Sequence, residues 1–322
     1  MSVGMVKLSP SYKDYLWGGN HLIQSYGKNT NKSILAESWE VSCHKDGPSY
    51  IASGDYKGKS LPEYIAIRGK DVLGVKAQSY SDFPLLVKLI DAKQDLSIQV
   101  HPDNTYALEH ENQYGKTEMW YVLEAEEGAA IYYGTKDSIT AEEFKEALVS
   151  DKILEVLNKV PVRAGDAILV EAGTIHAIGA GVMICEVQQN SNVTYRVYDF
   201  NRVGLDGKKR ELHIDKALDV SNLKPLEDNF SDHTLIIENR ETSYDQLIKH
   251  NMFDVKRLSV DGRVEIGVDS SSFKAFVCVE GFAEFENRET QLKLKKGESL
   301  FVEAGKDILS IDGSATLIEI SL

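Results

Sequence analysis

Hydrophobic residues along this chain recur mostly at every second position. In LSIQVH (96–101), Leu96, Ile98 and Val100 alternate with Ser97, Gln99 and His101, and side chains two apart on a strand point the same way. The same period runs through SILAESWEVSCH, DFPLLVKLI, MWYVLEAEEGAAIYYG, DAILVEAG, GVMICEVQQN and VTYRVYDF, with Gly, Asp and Asn between them. The pattern predicts a β-rich protein. Helical signals are fewer. Ser60 with Glu63, and Thr140 with Glu143, stand at capping-box spacing ahead of apolar periodicity. ELHIDKALDV is a third candidate helix. A polar stretch at 221–245 reads as a connection between domains, and strands and turns follow it to the end.

One segment recurs. Residues 165–176 are GDAILVEAGTIH and residues 297–308 are GESLFVEAGKDI. The last position holds His176 in the first copy and Ile308 in the second. A loose alignment of EMWYVLEAEEGAA with FKAFVCVEGFAEF sets Phe273 opposite Glu118. The repeat predicts two related small β-barrels, of which the first keeps polar groups where the second has apolar ones.

Composition narrows the function classes. A chain of 322 residues, 42% hydrophobic and 27% charged, suits two globular domains. Its net charge of −14 repels nucleic acid and anionic membranes. An anionic substrate would therefore need local Lys and Arg. Cys43, Cys185 and Cys278 are odd in number and widely spaced, which points to a reducing compartment rather than a disulfide framework. The N-terminus lacks the apolar core of a secretory signal, and no apolar run approaches membrane-spanning length. The expectation is a soluble, cytoplasmic protein with no nucleic-acid or membrane partner, and its oligomeric state is unknown from sequence.

The polar face of LSIQVH carries the chemistry. On its own it reads as a solvent-facing edge strand. The start of the next strand (GKTEMWYVL) adds Glu118, however, and the turn EAGTIHAIG adds His176. With Gln99 and His101 these make two imidazoles, a carboxylate and an amide oxygen, a ligand set suited to a divalent metal such as Zn²⁺. The degenerate second copy loses the His and the Glu together. His21, His44, His110, His213, His233 and His250 read as surface residues. The glycines of YLWGGN lack the context of a phosphate loop and read as a tight turn beside Trp17.

Taken together, LSIQVHPDN, GKTEMWYVL, EAGTIHAIG and TYRVYDFNR resemble type I mannose-6-phosphate isomerase (phosphomannose isomerase), in its short bacterial form, over nearly the whole chain. The resemblance implies a mainly β fold of two cupin-like β-barrel (jelly-roll) domains with a small helical insertion. The first, over 1–240, would be the catalytic zinc-binding domain with a short helical segment near 138–160. The second, over 241–322, would be a degenerate cupin-like β domain. It implies one Zn²⁺ per chain on Gln99, His101, Glu118 and His176, a catalytic arginine at Arg196, and further roles for Lys88, Lys116, Glu186 and Arg202. The implied reaction interconverts mannose 6-phosphate and fructose 6-phosphate by proton transfer between C1 and C2. Glu186 is the first candidate for the base, through a pKa raised by partial burial, with pairing to a lysine as its alternative role and His176 or a metal-bound water as the other candidate proton carriers. Arg202, Lys116 and Ser97 are candidates for the phosphate, and Lys88 for either substrate binding or a structural role. A cupin oxygenase and a non-catalytic sugar-binding bicupin are the competing readings.

Overall fold

The computed structural model describes residues 3–204, 207–226, 234–239 and 242–322. The strands expected from the period-two segments are all present. One sheet orders Ala167–Val170, Glu118–Ala125, Val182–Gln189, Leu85–Ala92, Glu37–Ser42 and Ser11–Lys13; a second orders Tyr195–Tyr198, Ile98–Val100, His176–Ile178, Ala130–Thr135 and Leu157–Pro161. The two share one core, in which Ile90, Trp120, Val122 and Ile184 of the first meet Ile131, Tyr133 and Ile178 of the second. The chain is mainly β and of the cupin jelly-roll type, but the sheets stay open as packed layers where closed barrels were expected.

The C-terminal residues form a third, nine-stranded sheet that also takes in the first strand of the chain, Met5–Ser9, through pairs such as Met5 with Val302. The expected junction between residues 240 and 241 lies outside the described residues. The stretch 221–245, read as a connection, instead contributes Thr234–Asn239 and the start of Thr242–Lys249, which pair with each other and extend the sheet beside Asp254–Val268. A ladder at a sheet margin satisfies its backbone groups through its neighbour and needs little apolar content, so polarity alone misled there.

The outer face of the six-stranded sheet packs on the C-terminal sheet. Val41, Val87, Leu89, Met119, Cys185 and Val187 share a core with Phe273, Val277, Phe301, Ile318 and Ile320. Every residue of Leu85–Ala92 and of Val182–Gln189 is consequently buried. Double-sided burial explains the unbroken apolar run in DFPLLVKLI. It also forces the polar residues of these strands to find partners inside.

Both capping boxes form, on helices Leu61–Arg68 and Ala141–Val149, and ELHIDKALDV supplies helix Ile214–Val220. A helix at Asn104–His110 was not anticipated; Asp103 caps it by accepting from the Tyr106 N–H. Phe144, Ala147, Ile153 and Ala217 cover Ile98, Val100, Ala177 and Val197 on the outer face of the five-stranded sheet. LSIQVH is thus an inner strand, with its apolar face under helices and its polar face turned into the sandwich. The glycines of YLWGGN serve close approach: a Cβ on Gly18 would lie 2.5 Å from Ala36, and one on Gly19 2.5 Å from Asp91.

The repeat is visible in the register, with one correction. Val170 pairs with Glu118 in the first copy, and its counterpart Val302 pairs with Lys274 in the second. Lys274, not Phe273, therefore stands in the place of Glu118. A one-residue slip turns a side chain to the other face of a sheet, and Phe273 accordingly lies in the core against Phe83, with ring centroids 5.0 Å apart. Ile308, the counterpart of His176, is 57% exposed rather than buried.

The Leu61–Arg68 helix is fastened to the C-terminal sheet by Glu303. Its carboxylate accepts from Tyr64 Oη at 2.7 Å, from Arg68 Nε and Nη2 at 2.7 Å each, and from the Gly4 N–H at 2.8 Å. Burial raises its pKa, but these donors outweigh burial and hold it below the usual carboxylate range. A depressed pKa stabilises the fold above that range and loses its contribution as pH falls through the folded value. Glu303→Gln should therefore lower unfolding stability by about 3 kcal/mol at pH 7. The deficit should shrink on acidification, measured by urea denaturation at pH 7 and pH 3.5. An equal deficit at both values would show that the charge is immaterial.

Candidate functional site

Register places the polar groups in two facing rows. On the five-stranded sheet, Gln99 is opposite both His176 and Arg196. Paired residues on neighbouring strands project to the same face, so these three share the cleft side. On the six-stranded sheet, Glu186 is opposite Lys88 on one side and Trp120 on the other, and Glu118 is two residues from Trp120 on the same face. The sandwich closes these rows on each other.

His101, Glu118 and His176 meet at the centre, all buried, with their ligand atoms within 4.8 Å of one another. His176 Nε2 is 3.4 Å from Glu118 Oε1, and His101 Nε2 is 3.7 Å from Glu118 Oε2. Each imidazole has its Nδ1 against a backbone carbonyl, His101 at 2.8 Å from Val193 O and His176 at 2.9 Å from Thr174 O. A carbonyl only accepts, so each Nδ1 carries the proton and each Nε2 turns a lone pair toward Glu118. Burial drives both rings toward the neutral form, His176 down to about 3 and His101 well below its usual range, with Lys116 adding to the effect. Neutral imidazoles with converging lone pairs beside a carboxylate form a cation-binding donor set.

Gln99 Nε2 lies 3.4 Å from His176 Nε2. Turning the amide about its last bond exchanges nitrogen for oxygen at that place, which brings a fourth donor to the group. Ser97, two residues along the same face, lies 3.5 Å from Gln99 Oε1. The Lys116 ammonium donates to Glu118 and lies 3.0 Å from His101 Nε2, so the group already attracts a cation.

Glu186 departs from expectation. Burial raises its pKa, but Lys116 and Lys88 outweigh burial and bring it down to about 2. The expected rise fails because the carboxylate is paired: Lys88 Nζ is 2.8 Å from Oε2, an ion-pair distance without hydrogen-bond alignment, and Lys116 Nζ is 3.9 Å from Oε1. Glu118, equally buried, is pushed up to about 7 by burial, against the pull of Lys116. Trp120 joins the two carboxylates, its indole N–H lying 3.1 Å from Glu118 Oε1 and 3.3 Å from Glu186 Oε1. Sequence reading passed over Trp120. The alternation in GKTEMW carries the signal, since Lys116, Glu118 and Trp120 fall on one face.

The remaining residues sit further out. Arg196 Nη1 donates to Glu211 O at 3.0 Å, and Arg202 Nη2 donates to Asp199 Oδ1 at 2.7 Å. Lys116 is drawn to the His–Glu–His group, while Arg202 is bound to Asp199. Of the other histidines, His44 is buried rather than superficial, edge-on to Trp39 at 5.7 Å, and His233 lies outside the described residues. The second repeat, with Lys274 for Glu118 and Ile308 for His176, offers no comparable donor set.

Comparison with known proteins places the chain in a family. Residues 5–132 match the family model for the phosphomannose isomerase type I catalytic domain, and residues 243–322 match the mannose-6-phosphate isomerase cupin domain. The first match spans Lys88 to Glu118 and stops before His176, Glu186 and the arginines. The chain is 38% identical to a mannose-6-phosphate isomerase of Streptococcus mutans, over 94% of this chain and 93% of that one. It is 34% identical to mannose-6-phosphate isomerase ManA of Bacillus subtilis, over 96% of each. The crystal structure of a Bacillus subtilis mannose 6-phosphate isomerase superposes with a TM-score of 0.91 at 34% identity, covering 99% of both chains. The chain belongs to the type I phosphomannose isomerase family.

Proposed function

We propose that this chain is a zinc-dependent isomerase that interconverts mannose 6-phosphate and fructose 6-phosphate. The observation that carries the reading is the buried His101–Glu118–His176 group, both Nε2 lone pairs turned inward, in a chain of this family. Gln99, His101, Glu118 and His176 would hold the ion. The donors fit it: two neutral imidazoles, one carboxylate and one amide suit Zn²⁺ and leave net positive charge. When bound, the ion supplies Lewis-acid stabilisation of negative charge on the sugar oxygens at C1 and C2.

The chain's own residues do the rest. Arg196, on the same face as Gln99, stabilises the charge of the enediolate. Its Nε is buried without a partner, so the guanidinium keeps an unused donor. Glu186 is the cleft carboxylate outside the ligand set, and it moves the proton between C1 and C2. Lys88 and Lys116 keep it ionised and weakly basic. A substrate oxygen that draws Lys116 aside weakens that hold and raises its proton affinity. Lys88 fixes the carboxylate from the side of Trp39, and Ser97, Lys116 and Arg202 supply polar contacts to the sugar phosphate. Residues 1–240 form the catalytic unit in this reading, and 241–322 a degenerate one that covers its apolar outer face. With no helix among the described residues long and apolar enough to cross a membrane, and three unpaired cysteines, the cytoplasm suits the chain.

The deciding experiment is a coupled isomerase assay on purified protein of measured metal content, before and after chelation. Activity that survives removal of all metal would sink the zinc reading. His101→Ala and Glu118→Ala should each lose zinc and activity while the fold persists, and elemental analysis of the wild type should give one zinc per chain. Arg196→Ala should keep its zinc and lose roughly 10²–10³ in kcat; a change confined to KM would make Arg196 a phosphate anchor instead. Glu186→Gln should keep zinc and slow exchange of the C2 proton by roughly 10²–10⁴. Near-normal exchange would leave Glu186 as the electrostatic partner of Lys88 and move the base elsewhere.

A further inference from the structure

Asp199 draws two arginines onto one carboxylate just past the end of the Tyr195–Tyr198 strand. Arg210 grips it twice, Nε to Oδ2 at 2.8 Å and Nη2 to Oδ1 at 2.5 Å, and Arg202 Nη2 adds a third bond at 2.7 Å. Asp199 is buried. Burial pushes its pKa up, but Arg210 and Arg202 more than offset that and keep it ionised. Two guanidinium groups on one carboxylate leave an excess positive charge. A third stands close, because Arg196 is held by the carbonyl of Glu211, the residue after Arg210. Arg196 Nε and Arg202 Nε are both buried without partners. Three cations gathered around one anion repel each other, and a further anion among them relieves the repulsion. In a chain of net charge −14, such a gathering calls for a reason.

The backbone is bent to produce it. Phe200 and Asn201 have φ of 53° and 56°, while the Arg202 N–H donates to Asp199 O at 3.0 Å. Left-handed φ at two successive non-glycine residues, one of them aromatic, is an unfavourable way to turn a chain. What this turn achieves is the return of Arg202 to the carboxylate of Asp199.

Its place beside Arg196 suits the far end of a sugar phosphate. His176, Gln99 and Arg196 run side by side across three strands. The step from His176 to Arg196 is two strand spacings, roughly 10 Å, and Asp199, which holds the Arg202–Arg210 pair, directly follows the edge strand that carries Arg196.

We propose that Arg210 is a phosphate-binding residue of this cleft, and that Asp199 is the positioning residue that holds Arg202 and Arg210 as a two-arginine clamp for a phosphomonoester. Paired guanidinium forks match the geometry of a phosphate, and pre-orienting them removes the disorder that free arginines would lose on binding. The clamp rests on the isomerase reading for its sugar, but its affinity for phosphate alone can be measured separately.

Calorimetric titration of the full-length, metal-loaded protein with inorganic phosphate tests it, beside steady-state kinetics with mannose 6-phosphate. Arg210→Gln should weaken phosphate binding and raise KM by about 10–100-fold, the size of one charge-assisted bond, with the larger effect on KM than on kcat. Arg210→Lys should recover only part. Asp199→Asn separates charge from positioning. It adds positive charge to the cluster, so a site working through charge alone would bind phosphate more tightly, whereas a positioned clamp should bind it more weakly. Melting temperatures within a few degrees of the wild type establish that each variant is folded; should Arg210→Gln not fold, Arg210→Lys and Asp199→Asn decide. Wild-type phosphate affinity in a folded Arg210→Gln or Arg210→Lys protein, tighter binding by Asp199→Asn, or no phosphate binding by the wild type overturns the inference. A wild type that binds phosphate but leaves mannose 6-phosphate unchanged overturns the activity proposed above, and the clamp stands.

Discussion

Burial of the six-stranded sheet on both faces is the constraint on which the rest depends. Its outer face is sealed by the C-terminal sheet and its inner face by the five-stranded one. Charges on the inner face, Lys88, Lys116, Glu118 and Glu186, have no water to turn to and must satisfy one another. They do so as alternating cations and anions, tied at one edge by the indole of Trp120. The C-terminal sheet binds no part of the cleft, yet by closing the outer face it holds the strands that carry these charges.

The same dryness sorts the two carboxylates by their neighbours. Glu186 lies between two lysines and is held ionised, while Glu118, with Lys116 as its one cationic contact and two imidazoles kept neutral by burial, is pushed up. A cation among those imidazoles would do for Glu118 what the lysines do for Glu186. The backbone carbonyls of Val193 and Thr174 matter as much as the ligands, because they choose the tautomer that turns Nε2 inward. The His101–Glu118–His176 group could thus hold a cation, and the proposed arginine clamp would add an anion site beside Arg196.

Much of this was legible in the sequence. Period-two alternation located the strands, the Ser60/Glu63 and Thr140/Glu143 spacings located two helices, and the polar face of LSIQVH pointed with Glu118 and His176 to one cluster of ligand-type side chains. Those signals are local, fixed by the geometry of a strand or a helical turn. Where longer range intervened, the reading slipped. The 221–245 stretch pairs as strands because its partner is the 254–268 strand, far from any local cue. Phe273 was set one residue out of register because only the ladder with Val302 shows that Lys274 is the counterpart of Glu118.

The sequence by itself determined which faces of which strands are polar, and hence the candidate ligands Gln99, His101, Glu118 and His176. The tertiary structure decided everything that depends on what stands opposite. It placed Lys88 and Lys116 beside Glu186, so a carboxylate expected to be raised by burial is lowered instead. It set Arg202 and Arg210 on Asp199, across a turn whose left-handed residues no composition rule foretells. Side-chain direction follows from backbone period within a strand. Electrostatic environment is a sum over neighbours that the fold brings from elsewhere in the chain.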